Sequence, residues 1–170
     1  EAPHAVYFNG NHLQLLCTSP ERFIQKKENV IISQPIKGTI KRGANSVEDK
    51  ENKTVLRTSK KERSENIMIV DLVRNDLSRI AKKGSVHVSE LCGIHTFETV
   101  HQMISTVECE VEQDLPFMDI LKASFPMGSM TGAPKISAMQ LIEKFEETQR
   151  GLYSGAVGYF TPTGDFDFNV

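Results

Sequence analysis

Residues 65–81 constrain the fold of this chain more than any other segment. Their sequence, ENIMIVDLVRNDLSRIA, predicts a helix that is apolar on nearly every side. A helix with apolar residues all round is normally buried inside a protein. The segment therefore predicts a helix that other elements of the fold cover.

Strand patterns lie on both sides of this helix. Residues 4–19 place Asn-Gly between two β-like runs, which is the strongest short-range signal for a hairpin. Residues 22–36 repeat this plan with a turn near Glu28 and Asn29, so four strands are predicted before the helices. Further strand patterns follow at 84–90, at 99–111 and at 150–170, the last with a turn at Thr163-Gly164.

The helical pattern begins near Val47 and continues to Ala81, and two shorter helices are predicted at 116–125 and 133–148. The inward face of the last helix is predicted to consist of Ile136, Met139 and Ile142. Strands and helices that occur in separate groups are typical of an α+β fold.

The charge and hydropathy of the chain argue against several classes of protein. The formal net charge is -2, the pI is about 6.2, and acids accompany the lysines of residues 49–66. A nucleic-acid-binding surface would be markedly basic. No apolar run approaches the roughly 20 residues that a membrane span needs, and the N-terminus lacks the pattern of a signal peptide. We therefore expect a cytoplasmic protein without nucleic-acid or membrane partners.

Cysteines and histidines show no metal-binding pattern. Cys17, Cys92 and Cys109 are too far apart for a zinc site or a disulfide framework, so we predict reduced packing residues. The 5 histidines likewise lack the spacing of metal ligands.

Both ends of the chain indicate a piece of a longer protein. The first residue is Glu1 rather than methionine. The last strand pattern, in which Phe166, Phe168 and Val170 alternate with polar residues, stops in mid-course. We therefore expect residues 1–170 to be one domain that is truncated at both ends.

The segment FPMGSMTGAPKISAM at 125–139 has the composition of an anion-binding loop. Gly128 and Gly132 are four apart and Lys135 follows three later, which differs from the phosphate-binding P-loop. Pro134 suits the first position of the following helix, where its missing N–H costs nothing. The free N–H groups of a helix N-terminus attract negative charge, and a carboxylate would fit as well as a phosphate.

Charged residues interrupt the apolar helix on one face. At 100° per residue, Glu65, Asp76 and Arg79 share a stripe with Ile69 and Leu72. Because an unpaired buried charge is very unfavourable, these groups must pair with one another, meet a ligand or hold a metal. Glu65 alone would supply only part of a Mg²⁺ site, which usually includes waters and substrate oxygens.

Glu21 and Lys37 stand at the ends of neighbouring predicted strands. In an antiparallel pair these ends lie side by side, which would bring a carboxyl group and an amine together at one edge of the sheet. Lysine is a nucleophile only when it is neutral, so burial or nearby Lys41 and Arg42 would have to lower its pKa. On spacing alone, a surface lysine at a turn is the favoured interpretation.

Six ordered segments resemble the chorismate-utilising enzymes, and in particular their aminodeoxychorismate branch. They are SPERF at 19–23, QPIKGTIKRG at 34–43, ENIMIVDLVRNDLSRIAKKGSVHV at 65–88, VHQMISTV at 100–107, FPMGSMTGAPKISAM at 125–139 and RGLYSGAVGYF at 150–160. Anthranilate synthases typically carry alanine where Lys37 stands and a GTxSGAPK loop, whereas this chain has lysine and GSMTGAPK.

The resemblance implies a fold and a reaction. The fold is α+β, with antiparallel sheets in a sandwich flanked by helices, here incomplete. Lys37 would attack ring carbon C2 of chorismate as the 4-hydroxyl leaves, with Glu21 as general acid and base. Ammonia from a glutamine amidotransferase partner would then give 4-amino-4-deoxychorismate for folate biosynthesis, and Mg²⁺ would be held through Glu65. The substrate-binding residues that the resemblance implies are Gly38, Thr39, Arg74, Ser129, Thr131, Gly132, Ala133, Lys135 and Tyr153.

The chain departs from the pattern of this family in two respects. Gln102 stands where many relatives have histidine, and His101 would lie on the opposite face of the strand, so no catalytic role is assigned to His101. The family's later arginine-bearing strand, glycine-rich loop and further glutamates would lie beyond Val170, so we expect this chain to be inactive alone. Two alternatives stay open: an anthranilate, isochorismate or salicylate-type synthase, and a regulatory or assembly module without turnover.

Overall fold

A computed structural model describes residues 2–170, and it contains antiparallel strands with helices packed against them. The strands are β1 (His4–Asn9), β2 (Gln14–Ser19), β3 (Arg22–Lys27), β4 (Val30–Gln34), β5 (Ile36–Lys41), β6 (His87–Thr96), β7 (Val100–Glu110), β8 (Gly158–Phe160) and β9 (Phe166–Asn169). The helices are α1 (Ser46–Thr58), α2 (Lys60–Ser78), α3 (Phe117–Ser124) and α4 (Lys135–Phe145), with 3-10 turns at Gly128–Met130 and Gly151–Tyr153. The prediction of an α+β fold with antiparallel sheets is confirmed.

The long strand β7 organises the main sheet. Seven strands follow the order β5, β7, β4, β3, β9 and β8, with β6 also paired to β7. β4 lies opposite residues 107–110 and β5 opposite residues 100–104, so both occupy one edge of β7 while β6 covers the other. The pair Arg22–Gln34 then sets the start of β3 near the start of β5. This topology brings residues 21 and 37 into one region.

Helix α2 packs over this sheet and separates two apolar clusters. The main cluster consists of Phe23, Ile24, Ile31, Val70, Leu77, Val107, Cys109, Val111, Ile120, Met127 and Phe166. The second cluster consists of Leu56, Cys92 and Met103 and lies under α1. The prediction of a covered helix at 65–81 is confirmed for one face, since Ile69, Val70 and Leu77 are buried but Met68 is 44% exposed.

Several predicted elements are confirmed with local corrections. The first hairpin forms at Asn-Gly, but its loop has four residues and is closed by a 2.8 Å bond from Gly10 N to Leu13 O. The helical region is divided at Ser59, whose hydroxyl accepts a hydrogen bond from Glu62 N and caps α2. The turn at Glu28-Asn29 and the hairpin around Gly164 are as predicted.

The predicted inward face of α4 is wrong for this chain. Ile136 is 70% exposed, Met139 is 43% exposed, and no residue of α4 is buried. The amphipathic pattern predicts an apolar face but does not identify its partner, and no element of residues 2–170 buries it. Pro134 is the N-cap of α4 rather than its first helical residue.

The three cysteines are free thiols, and Cys92 and Cys109 are buried, as predicted for packing residues. Among the helices of residues 2–170, none has the length and apolar character that a membrane span requires.

Candidate active site

Glu21 lies in a half-enclosed position between β3, β5 and the 125–134 loop. The Ser129 hydroxyl and the Ile36 N–H lie close enough to influence its carboxyl, as does the Lys37 ammonium, and Ser129 lines the same pocket as Glu21. Burial raises the pKa of the Glu21 carboxyl, while Ser129, Lys37 and Ile36 partly oppose this shift. The Ser19 hydroxyl holds the Glu21 backbone through two 3.2 Å contacts. The structure therefore places the Lys37 ammonium within electrostatic range of Glu21. Lys37 lies on β5, which pairs with β7 and not with β3, so the two residues are not at the ends of one strand pair as predicted.

A β-bulge at Lys37-Gly38 determines the direction of the lysine. Ile36 pairs with Ile104 but Thr39 pairs with Gln102, so β5 carries one extra residue against β7. Bulges of this kind redirect side chains and are frequent next to active sites. Lys37 is half-buried, and it takes part in none of the ion pairs within 4.0 Å among residues 2–170.

Gly38 is required by this bulge. Its φ of +89° lies in the region that glycine favours. A methyl group at this position would lie 3.0 Å from both Glu62 Cβ and Leu56 Cδ1. The absence of a side chain thus lets α1 and α2 approach the strand beside Lys37.

The 125–134 loop is anchored at several points. The Thr131 hydroxyl donates to Met127 O at 3.0 Å, and Arg150 Nη1 donates to Met130 O at 2.7 Å. No backbone carbonyl of residues 2–170 accepts a hydrogen bond from the N–H of Gly132 or Ala133. These two amides, which precede α4, are consistent with the predicted anion-binding site.

Lys135 occupies a different environment from the one predicted. Its ammonium donates to Asp76 Oδ2 at 2.5 Å and to Ser124 O at 2.9 Å, and its side chain is only 13% exposed. Burial raises the pKa of Asp76, and the Lys135 ammonium and Arg79 oppose the shift. Within the charged stripe of α2, Asp76 is therefore paired with the first residue of α4, whereas Glu65 is paired within the helix with Lys61. Nothing local in the sequence indicated the Asp76–Lys135 pair, because 59 residues separate its members.

The first turns of α2 carry two carboxylates. Lys61 Nζ is 3.9 Å from Glu62 Oε1 and 3.9 Å from Glu65 Oε1. The resemblance implies Glu65 alone as a metal ligand, although the spacing of three residues puts Glu62 on the same helix face. Within residues 2–170 no group of three His, Cys, Asp or Glu side chains converges as a metal site. A pair of carboxylates suits Mg²⁺, which often takes one or two from the protein and the rest from water and substrate.

Three other predicted substrate residues lie apart from Glu21 or are exposed. Arg74 is half-exposed, bonds Asp71 at 3.0 Å, and lies about 200° around α2 from Leu72 and Asp76. Thr39 is exposed on β5. Tyr153 is 85% exposed, but it lines an open groove together with Ser129.

His101 lies inside the protein and contacts Asp49 and Thr96. It is fully buried, with Nε2 2.9 Å from Asp49 Oδ1 and Nδ1 3.1 Å from Thr96 Oγ1. Arg42 and the Gly43 N–H also bind Asp49, and they hold the pKa of this carboxyl well below its usual range.

The sequence pattern of the chorismate binding enzymes matches residues 1–170. The chain belongs to this family. It is 45% identical over 172 residues to the probable aminodeoxychorismate synthase, chloroplastic, of Oryza sativa subsp. japonica, and this match covers 99% of the chain and 19% of that protein. It is 40% identical over 169 residues to aminodeoxychorismate synthase component 1 of Bacillus subtilis (strain 168), covering 99% of the chain and 36% of that protein.

The fold comparison agrees with this membership. Anthranilate synthase component I from Streptococcus pneumoniae TIGR4 superimposes with a TM-score of 0.86 at 35% identity, over 99% of the chain and 37% of that protein. A 2,3-dihydroxybenzoate-specific isochorismate synthase from Bacillus anthracis, described as putative, shares the fold, with a TM-score of 0.79 over 98% of the chain and 45% of that protein at 24% identity. The chain thus spans less than half the length of each of these four proteins.

Proposed function

We propose that this chain is part of an aminodeoxychorismate synthase, which converts chorismate and ammonia to 4-amino-4-deoxychorismate. The observation that carries the proposal is the environment of Glu21, a carboxyl in a pocket lined also by Ser129, whose pKa is raised by burial and which lies within electrostatic range of the Lys37 amine. Such a pair offers both a proton donor and a nucleophile. The names of the relatives from rice and Bacillus subtilis support the same substrate and product.

The proposed reaction has two steps. In the first, the neutral amine of Lys37 forms a bond to ring carbon C2, the double bonds C1=C2 and C5=C6 become C1=C6 and C4=C5 as the C4–O bond breaks, and protonated Glu21 gives its proton to the leaving hydroxyl. In the second, ammonia attacks C4, the double bonds shift back and the C2–Nζ bond breaks. Two displacements then replace one that is more difficult.

The anionic substrate requires positive groups and amides around it. The N–H groups of Gly132 and Ala133 would bind one carboxylate at the start of α4. Glu62 and Glu65 would hold Mg²⁺, which neutralises substrate carboxylate charge when it is bound. The ammonia would come from a glutamine amidotransferase partner, in keeping with the component 1 naming of the Bacillus subtilis relative.

The test uses the full-length protein with chorismate, Mg²⁺ and an ammonium salt. Lys37→Ala should reduce formation of 4-amino-4-deoxychorismate by about 10³-fold or more, because the nucleophile is lost. Intact-mass spectrometry after quenching should find a substrate adduct on the wild-type protein and none on Lys37→Ala. Lys27→Ala, on the exposed end of β3, is the matched control and should retain both adduct and turnover.

Other outcomes identify the competing functions. Anthranilate or isochorismate as the product, with full activity in Lys37→Ala, would replace the proposal by a synthase of the type that the Streptococcus pneumoniae structure represents. Calorimetric titration that detects no Mg²⁺-dependent chorismate binding by the full-length protein would instead indicate a non-catalytic module.

A further inference from the structure

The Lys135 ammonium joins three separate parts of the structure. It bonds the Ser124 carbonyl, which directly precedes the 125–134 loop, while Lys135 itself directly follows that loop. It also bonds Asp76 on α2 at 2.5 Å. The buried Lys135 ammonium therefore holds the two ends of the 125–134 loop together and attaches both to α2.

The middle of the closed loop packs against α2 and lies close to Glu21. A methyl group at Gly128 would lie 2.5 Å from Leu72 Cδ2, so the turn rests directly on the helix. The next residue, Ser129, lines the same pocket as Glu21, and its hydroxyl lies close enough to influence the Glu21 carboxyl. Glu21, Ser129, Ser124 and Asp76 line one internal cavity with room for about one water molecule.

We propose that Asp76 and Lys135 are positioning residues whose buried ion pair holds the 125–134 loop so that Ser129 reaches Glu21. This inference rests on the proposed function, in which Glu21 is the proton donor. It replaces the expectation that Lys135 binds the substrate. Two of the three donors of the ammonium are already used within the protein, and leaving Asp76 for a ligand would abandon a buried charge.

The groups that surround Glu21 determine the direction in which its pKa should shift in the test. Lys37 approaches from β5, Asp76 lines the same cavity from α2, and Arg22 on its own strand is paired with Asp167 of β9 at 2.9 Å. The Ser129 hydroxyl lowers the pKa of Glu21. Withdrawal of Ser129 should therefore raise that pKa. Because the donor must be protonated, the descending limb of the pH–kcat profile should move to higher pH.

The experiment compares Lys135→Met, Ser129→Ala and their combination in the full-length protein. Lys135→Met should lower kcat by about ten- to a hundred-fold, change KM by less than about three-fold, and move the descending limb to higher pH. Ser129→Ala should move the limb in the same direction, and the double variant should move it no further. Lys122→Met removes an exposed lysine of α3 that lies 3.8 Å from Asp119 and should leave the profile unchanged.

A second measurement does not require turnover. Hydrogen exchange of the substrate-free protein should be faster at Met130 and Thr131 in Lys135→Met, since the N–H groups of both residues are bonded within the loop. Unchanged exchange there would overturn the inference, even if the proposed function is correct. If the wild-type protein makes no 4-amino-4-deoxychorismate, the proposed function fails while the exchange result still decides the role of the ion pair.

Two further results would contradict the positioning role. A raised KM with an unmoved pH limb would make Lys135 a substrate ligand. If Lys135→Met and Ser129→Ala shift the descending pH limb additively, the ion pair does not act on Glu21 through Ser129. If Lys135→Met does not fold, Asp76→Leu/Lys135→Met places apolar groups at both positions, which buried pairs often tolerate, and is judged by the same criteria.

Discussion

At the scale of single residues, burial has a larger effect on Glu21 than its charged and polar neighbours have. Three groups that favour the ionised carboxylate surround it, yet desolvation outweighs them and its pKa is raised. A carboxyl of this kind keeps its proton to higher pH and is suited to donate it. The same environment makes the ionised form unfavourable for the folded protein.

Replacement of Glu21 by glutamine should therefore stabilise the folded protein at high pH and abolish its activity. The ordinary pKa is 4.5 and the folded value is higher, so the folded protein binds the proton more tightly than the unfolded chain does. The stability that protonation contributes is complete below pH 4.5 and is lost as the pH rises through the folded pKa. We expect Glu21→Gln to raise the melting temperature at pH 8, to lose this advantage near pH 4, and to abolish turnover.

The measurement is thermal unfolding of the full-length protein across this pH range. Glu147→Gln, at an exposed position after α4, is the matched control and should change the melting temperature little at either pH. A melting temperature for Glu21→Gln that falls at pH 8 would show that the contacts of the carboxylate outweigh its desolvation.

At the scale of elements, the bulge in β5 connects helix packing with the direction of Lys37. Leu56 of α1 and Glu62 of α2 both approach the vacant side of Gly38. The positive φ of Gly38 and the register shift against β7 belong to the same local geometry. Packing of α1 and α2 against Gly38 therefore restricts the backbone of β5 at the bulge. The direction of the neighbouring Lys37 side chain depends on this packing.

Gly38→Ala should be more harmful than the same change at Gly84. Both glycines have a similar positive φ, +89° and +81°, so alanine should strain the backbone by about 1–2 kcal/mol at either position. A methyl group at Gly84 meets nothing within 4 Å, whereas at Gly38 it crowds two helices, which typically costs a further 1–3 kcal/mol, about the range for overpacking. Denaturant unfolding and kcat of the two variants are the measurements. Equal losses would mean that the helix contacts do not fix the bulge.

At the scale of the whole molecule, the sequence predicted what depends on neighbouring residues and missed what depends on distant ones. Alternation of apolar residues and the Asn-Gly signal identified the strands because side-chain direction is local. The proximity of Glu21 and Lys37 was predicted from one antiparallel pairing, whereas β5 pairs with β7 and not with β3. The Asp76–Lys135 pair was not predictable, since loop, helix and sheet together bring its members within 2.5 Å. The exposure of Ile136 was missed because periodicity contains no information on what covers a face.

The strand β7 joins the two apolar clusters of the fold. Val107 and Cys109 belong to the main cluster and Met103 to the second cluster, and all three are 0–1% exposed. The strand also pairs with β4, β5 and β6 along its length. A local opening of either cluster would have to break hydrogen bonds that the other cluster protects. We therefore expect the two clusters to open as one cooperative unit.

Ile31→Ala and Met103→Ala test this cooperativity in the full-length protein. Both side chains are 0% exposed, one in each cluster, and each truncation should reduce the free energy of opening by about 2–5 kcal/mol. If β7 couples the clusters, either variant should accelerate hydrogen exchange throughout residues 100–110 by a similar factor. Val55→Ala, at a site on α1 that is 58% exposed, is the control and should leave exchange in β7 unchanged. Acceleration confined to residues 107–110 in Ile31→Ala and to residues 100–104 in Met103→Ala would show instead that the clusters open independently, so that the Lys37 end of the sheet could loosen while the rest stays folded.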